Sequence, residues 1–444
     1  MQLYLRAATC AIVRFACTAL TVAALPACAS ETAEESWGWH GQATYVWQAK
    51  PAFTAPYDGP NSLGGQRERS YSFTATLAAG WRPWRGGELY FNPELVQGVP
   101  LSGLTGLGGL SNGELQKTAG SNPVLYRARA FLRQSWALGD ETEAVESGFN
   151  QLAGTRATHR LVLSVGNLAA SDIFDDNGLA HDARSQFLNW ALLTHGHYDF
   201  AADSRGYSQG LALEWISGDW ALRGGRFEVP IESNGLALDS HLRTRFGDQI
   251  EIEHRHQIAG RGGVLRLLGF RNVARMARFD EALAAAGPGA VPQLDAVRRL
   301  QAKQGWGLSG EQSLAQDVDI FARAGRHDGA TEPYSFASID DSASAGMIWR
   351  GSSWRRPADR VGVALASNGL SAAHRRFLVA GGSDFFLGDG RLHYGRENIL
   401  EAFYSAALGD KLWLSADLQH IRNPAYNRDR GPVRFLALRL HAEL

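Results

Sequence analysis

Cysteine is nearly absent from this chain: three in 444 residues, at positions Cys10, Cys17 and Cys28. All three lie in or beside an N-terminal leader-like segment, so the body beyond Ala29 has no thiol. That excludes disulfides, thiolate metal sites and cysteine nucleophiles there. Lysine is scarce as well. Lys50, Lys117, Lys303 and Lys411 are the only four, which leaves 40 arginines, whose planar fork binds hydroxyl, carboxylate or phosphate with more direction than an ammonium does. Nothing after Ser30 approaches eighteen consecutive apolar residues, so no membrane-spanning helix is expected. The formal net charge is -1, and no basic surface for nucleic acid is implied.

What is present is alternation. In the last thirteen residues, 432–444, Leu436, Leu438, Leu440, Ala442 and Leu444 fall on one parity, and Ala437, Arg439, His441 and Glu443 on the other. Successive strand side chains face opposite sides of a sheet. A strand with one apolar and one charged face suits a wall with lipid outside and water inside. At the other end, Arg6 and Arg14 precede an apolar run over 15–25, followed by Ala27-Cys28-Ala29. This reads as a secretory signal over 1–29, a flexible mature terminus over 30–36 and one barrel domain over 37–444. A lipoprotein reading, with Cys28 acylated, is weakened by Pro26. Strand alternation also explains how 45% hydrophobic residues coexist with a slightly negative mean hydropathy. The 50 glycines and 13 tryptophans fit tight turns and interfacial girdles.

The period-two pattern predicts strands over 37–48, 70–81, 88–96, 124–138, 159–168, 206–216 and 220–229. A second group covers 248–258, 263–273, 317–326, 342–349, 360–367, 375–385, 398–407, 411–421 and the terminal segment. The total of about sixteen antiparallel strands suits an all-β transmembrane barrel. Ser217-Gly218-Asp219 and Gly409-Asp410 read as hairpin turns. Longer connectors cover 98–123, 169–205 and 280–306, with short helices expected near 186–193, 281–286 and 293–304.

Parity also nominates residues for a channel. Over 124–138 one face carries Arg127, Arg129 and Arg133, an expected lumenal arginine ladder. Arg223, Glu251, Glu253 and Arg255 fall on inward positions, although Glu214, Arg223, Arg226 and Glu228 share no clean parity, which suggests a bulge or a misread turn. On 411–421 the lumenal set is Trp413, Ser415, Asp417 and Gln419. Aromatics beside Arg, Asp and Glu suit sugars, which offer C–H faces to stack on and hydroxyls that need polar partners. Wet lumens are charged for structural reasons too, so the functional weight rests on the set. Trp37, Trp39, Tyr45, Trp47, Trp81, Trp136 and Trp215 read as interfacial girdle before sugar platform.

Over 161–276 the chain resembles the carbohydrate-selective porin family of bacterial outer membranes, the OprB type. Gly166-Asn167, the run from Asp172 through Asn177, the run from His181 through Leu192, and the run from Tyr198 through Asp199 to Tyr207 carry the resemblance. Further similarity lies at 251–256, 266–270, 417–424 and 438–443. The resemblance implies a sixteen-stranded barrel, a constricted channel, passive uptake of sugars and a monomeric or trimeric state. Leu444 stands where that family usually ends in an aromatic, and the insert over 280–306 is longer than a simple porin needs. These departures leave room for an oligosaccharide or a sugar acid, and the arginines favour an anionic solute.

Other chemistries fit less well. Asp172, Asp175, Asp176, His181, Asp182, His195, His197 and Asp199 cluster, but without the ligand spacing of a calcium loop or a zinc motif. These groups are expected to cap turns in a loop that narrows the pore, with Arg184 and Arg205 as partners. A barrel hydrolase would need a serine in a recognisable setting beside His159, His254, His256 or His441, and none stands out. Export of a polysaccharide remains the alternative to uptake. No cofactor or metal is expected. The expected partners are a small carbohydrate, outer-membrane lipid and the barrel assembly machinery, with no nucleic acid.

Overall fold

The computed structural model describes residues 34–118 and 120–444, so the expected signal sequence lies outside the described residues. Sixteen antiparallel strands close into a barrel in sequence order. They are β1 Trp37–Lys50, β2 Glu68–Trp84, β3 Gly87–Val99, β4 Gly120–Ala137, β5 His159–Leu168, β6 Ser208–Ser217, β7 Trp220–Phe227 and β8 Phe246–Ile258. The second half supplies β9 Arg261–Met276, β10 Arg299–Ala315, β11 Val318–His327, β12 Asp341–Arg350, β13 Arg360–Gly369, β14 Glu397–Gly409, β15 Leu412–Arg422 and β16 Val433–Glu443. The terminal strand behaves as its parity predicts. Leu436, Leu438 and Leu440 are exposed on the outer wall, while Phe435, Ala437, Arg439 and His441 are buried inside. It closes the barrel against β1, Gln42 opposite Glu443 through Ala49 opposite Leu436.

The two ends of the barrel differ. Two-residue turns join β6 to β7, β8 to β9 and β14 to β15 at the end where the described termini lie, and long connectors cover the other end. Short turns mark the periplasmic side of such barrels. Trp37, Trp39, Trp81, Trp136, Trp215, Trp220 and Trp349 are exposed near that end, forming a one-sided aromatic girdle. Glu35, before β1, is held there: its amide donates to the Ala153 carbonyl at 3.0 Å and its carboxylate accepts from Ser147 Oγ at 2.8 Å.

Two segments depart from the sequence reading. Residues 293–304 were expected to be helical, but apart from a short turn at Asp295–Val297 the segment enters strand β10. Its Ala, Gln and Lys residues have good helix propensity, yet the barrel uses their alternation: Leu300, Trp306 and Leu308 lie outside and Lys303 and Ser309 are buried within. Conversely, 375–385 was expected to be a strand and is occupied by helix α3, Ala372–Val379, in a loop. Ser371 Oγ caps that helix by accepting from the His374 amide at 3.1 Å, which satisfies a donor left free at a helix start. The helix expected at 281–286 is present as α2, Phe279–Ala285, and that near 186–193 reduces to one turn, α1, Trp190–Leu193. The β6–β7 hairpin needs no bulge. Glu214 and Arg223 face each other on the inside, and Arg226 pairs with Asp248 at 2.7 Å on the opposite face.

The barrel interior is filled by its own loops. Residues 169–207 run inside the wall and are mostly buried. Phe187 packs edge-on against Phe403 at 5.1 Å, and Trp190 stacks on Phe336 at 5.1 Å. Small wall residues make room for this loop. A Cβ on Gly307 would sit 2.6 Å from the His195 ring, so the loop lies directly on the strand backbone.

Candidate functional site

Buried acidic side chains and their partners clamp the inward loop to the wall at four places. Arg184 forks between Glu94 on β3, at 2.7 Å, and Glu114 in the preceding loop, at 2.9 Å. Asp175 accepts from Arg323 on β11 at 2.9 Å. Asp199 accepts from Lys303 on β10 at 2.7 Å and from the Tyr334 and Ser335 amides at 2.8 and 2.7 Å. Glu401 on β14 accepts from the Leu188 and Asn189 amides at 2.5 and 3.0 Å. Burial alone would raise the Asp199 carboxyl, but the Lys303 ammonium and these amides outweigh it and hold the group below its ordinary value. The same competition holds Asp175 low beside Arg323 and Asp172 low beside Arg129. Such clamps fix one loop geometry, because removing one partner strands a charge in a low dielectric.

What the clamped loop leaves open is a cavity of about 650 Å³, bounded by His40 and Gln42 of β1, Lys117 and Gln116, Arg129 of β4, and Asp172, Arg184, Trp190, Arg205 and Tyr207 of the inward loop. One side is a ladder of rings and cations. The Arg205 guanidinium lies 4.3 Å from the Tyr126 ring centre, and Arg129 and Lys117 lie 5.1 and 5.6 Å from Tyr207. The two tyrosine rings are 6.0 Å apart. Arg129 is neutralised by Asp172, at 2.5 Å, and Lys117 approaches Glu114 at 3.5 Å. Arg205 makes no ion pair among the described residues; only its backbone amide is engaged, donating to Asp203 at 2.9 Å. Gln116 Oε1 and Trp190 Nε1 have no hydrogen-bond partner among the described residues. Flat rings, two cations without an ion pair among the described residues, Arg205 and Lys411, and spare polar atoms meet at the cavity, a set that can stack on apolar ring faces and hydrogen-bond hydroxyls.

The profile of the carbohydrate-selective porin, OprB family, matches residues 63–444. The chain belongs to that family. Among solved structures, this porin is similar to the high-pH structure of Pseudomonas putida OprB, with a TM-score of 0.69 at 15% identity, covering 92% of this chain and 94% of that one. It also aligns with a loop-deletion mutant of Vibrio cholerae OmpT, at a TM-score of 0.48 and 9% identity over 92% and 100% of the two chains. A third alignment is with Pseudomonas aeruginosa OccK5, at 0.45 and 10% over 92% and 98%. No curated protein sequence matches this porin. The fold and the family make it an outer-membrane porin.

Of the residues nominated from sequence, the structure brings Arg129, Arg184 and Arg205 together at the cavity. Arg127 is not with them. The register steps from Asn92 opposite Arg129 to Pro93 opposite Arg127, so a bulge at Ala128 turns the earlier half of β4 over, and Arg127 shares the outer face with exposed Leu125. Arg133 is inside but lower, donating to the Asn150 carbonyl at 2.9 Å and lying over Tyr90. Arg223, Glu251 and Glu253 form a buried ion cluster with Glu214 and Arg266. Glu251 also accepts from the Asp175 amide at 2.8 Å, so this cluster braces the loop. Arg255 lines a separate pocket near the short-turn end. Asp199 and Asp417 are buried, and the Trp413 ring packs 5.8 Å from His441. None of these three lines the cavity. Sequence reasoning missed Glu94, Glu114, Lys117, Tyr207, Trp190 and Phe336. Glu94 had a signal, a carboxylate on the inward parity of β3, shared with Glu88 and set between Asn92 and Val96. Phe336 had none, since its loop position has no period.

Proposed function

We propose that this porin admits carbohydrates to the periplasm by passive, substrate-selective diffusion, with a preference for sugars that carry a carboxylate. The observation that carries the reading is Arg205, stacked on Tyr126 beside the Tyr207, Arg129 and Lys117 group, facing the cavity without a carboxylate of its own. A pyranose ring would lie against the tyrosine faces while its acid group met the Arg205 fork. Flux requires that the solute leave again, so affinity in the millimolar range is expected, about -4 kcal/mol. The loop clamps support uptake of small solutes over threading of a polymer, since the inward loop is pinned by buried ion pairs at separate points.

Planar-bilayer recording tests this directly. A neutral hexose and its uronic acid are added to open channels, and the acid is expected to interrupt the current at the lower concentration. Arg205→Ala should remove most of that difference, about tenfold. If neither sugar blocks current or enters liposomes, the carbohydrate reading is wrong; equal block by both sugars rejects the acid preference alone.

A further inference from the structure

The outer wall carries its own charge pattern at the long-loop end. Arg69 at the start of β2, Arg422 at the end of β15 and Arg434 at the start of β16 are all exposed. They occupy the same outward parity as Leu77, Leu418 and Leu436, which are exposed below them. The register places them side by side across the closing seam. Arg434 stands opposite His420, two residues before Arg422, and Ala49 of β1 stands between Leu436 and Arg69. With strands ~4.8 Å apart and a rise of ~3.4 Å per residue, the Cα atoms of Arg422 and Arg434 are ~8 Å apart and those of Arg69 and Arg434 ~12 Å.

No carboxylate among the described residues neutralises these arginines. Nearby Arg396 and Arg430 pair with Asp341 and Asp58 at 2.5 and 2.9 Å, whereas Arg69, Arg422 and Arg434 make no ion pair among the described residues. They top an apolar band of leucines, at the level where hydrocarbon gives way to headgroups. Tryptophan fills the corresponding level at the short-turn end. Three guanidinium forks at that height, with no acid between them, are complementary to phosphate oxygens, which accept paired N–H bonds. Their spread exceeds the reach of one phosphate. It matches a headgroup that carries two phosphates across a sugar backbone.

We infer that this strip is a binding site for a doubly phosphorylated saccharolipid of the outer leaflet, docked across the seam between β15, β16, β1 and β2. The site is separate from the channel, and its occupancy does not depend on which solute passes through.

The test uses full-length porin in detergent micelles, with lipid binding followed by native mass spectrometry. The probes are a bis-phosphorylated glucosamine-disaccharide lipid, the same lipid with both phosphates removed, and phosphatidylglycerol. The intact porin is expected to hold the bis-phosphorylated lipid at least tenfold more tightly than either other probe, with the margin shrinking at high salt. The triple variant Arg69→Gln, Arg422→Gln, Arg434→Gln should lose the margin while its channel conductance stays unchanged. The inference is overturned if the intact porin does not distinguish the phosphorylated from the dephosphorylated lipid, a comparison that requires no variant to assemble. It is equally overturned if phosphatidylglycerol binds as tightly, or if the triple variant keeps the preference.

Discussion

Replacing Arg184 with alanine tests whether the inward loop is clamped by buried charge or merely packed. The side chain is 7% exposed and divides its fork between Glu94 and Glu114, themselves 0% and 5% exposed. Truncation leaves both carboxylates inside with fewer partners. Glu94 keeps Thr76 at 2.6 Å and the Tyr126 hydroxyl, and Glu114 keeps Thr74 at 2.7 Å and Lys117. Removing one partner of a buried pair costs about 3–5 kcal/mol. The barrel ladder is untouched, so the loss falls on local opening of the loop. At about 1.4 kcal/mol per factor of ten, amides over 181–188 should exchange hydrogen roughly 100- to 4000-fold faster. Thermal unfolding of the barrel in detergent should shift little. Single-channel conductance should rise and become noisier, since Arg184 lines the cavity. Arg184→Lys should fall between, because an ammonium on that stem cannot reproduce the rigid two-carboxylate fork. Unchanged exchange over 181–188 in the alanine variant would refute the reasoning, showing that Asp175, Asp199 and Glu401 hold the loop without it.

Three further outcomes follow from particular contacts. Gly307→Leu places a side chain where the His195 ring lies; the loop should be displaced and conductance should rise, and an unchanged conductance would mean that the strand yields instead. In the long-loop cap, His374 is fully buried between Asp340 at 3.2 Å and Asp384 at 2.7 Å. Burial would lower its pKa, but the two carboxylates outweigh this and raise it from 6.5 to about 9. A raised histidine stabilises fully below 6.5 and loses its contribution as pH climbs through about 9, a span equivalent to about 3 kcal/mol. Proteolysis of the 370–396 loop should therefore accelerate between pH 7 and 10, and His374→Gln should flatten that profile. Arg129→Ala should alter anion-to-cation selectivity, measured as a reversal potential across a salt gradient; an unchanged potential would show that Asp172 already cancels its field.

Parity made the wall legible wherever one residue faced one partner. β16, β15 and β8 were readable because their inward and outward sets never exchange. Arg127 was misplaced because a bulge leaves no mark in the alternation of charges; its neighbours Tyr126 and Ala128 line the inside in its place. β10 was hidden by the helix propensity of Gln301, Ala302, Lys303 and Gln304. It is held as a strand by Lys303 meeting Asp199, a partner 104 residues away, which no local window contains. The opposite misreading, a strand over 375–385, arose from the apolar run after Arg376, although Ser371 was a visible cap. These two misreadings offset one another, so the expected number of strands agreed with the barrel while one of its members was misplaced. The site was legible in its ingredients, Arg129, Arg184, Arg205 and the acidic loop. Which of them meet open space depends on how the loop folds inside, and that is set by long-range ion pairs.

The seam between β1 and β16 has a kinetic meaning. Thr44 Oγ1 and His441 Nδ1 meet at 2.7 Å across a sequence separation of 397 residues, so closure is among the most non-local contacts the chain makes. Contacts of such high order form late, because the intervening chain must first be brought to heel. Until then β1 and β16 both present unpaired backbone, which hydrocarbon does not tolerate. Completion is therefore all-or-none: a ribosome stalled anywhere before residue 433 yields an open sheet with two adhesive margins, and no shorter barrel lies on the way.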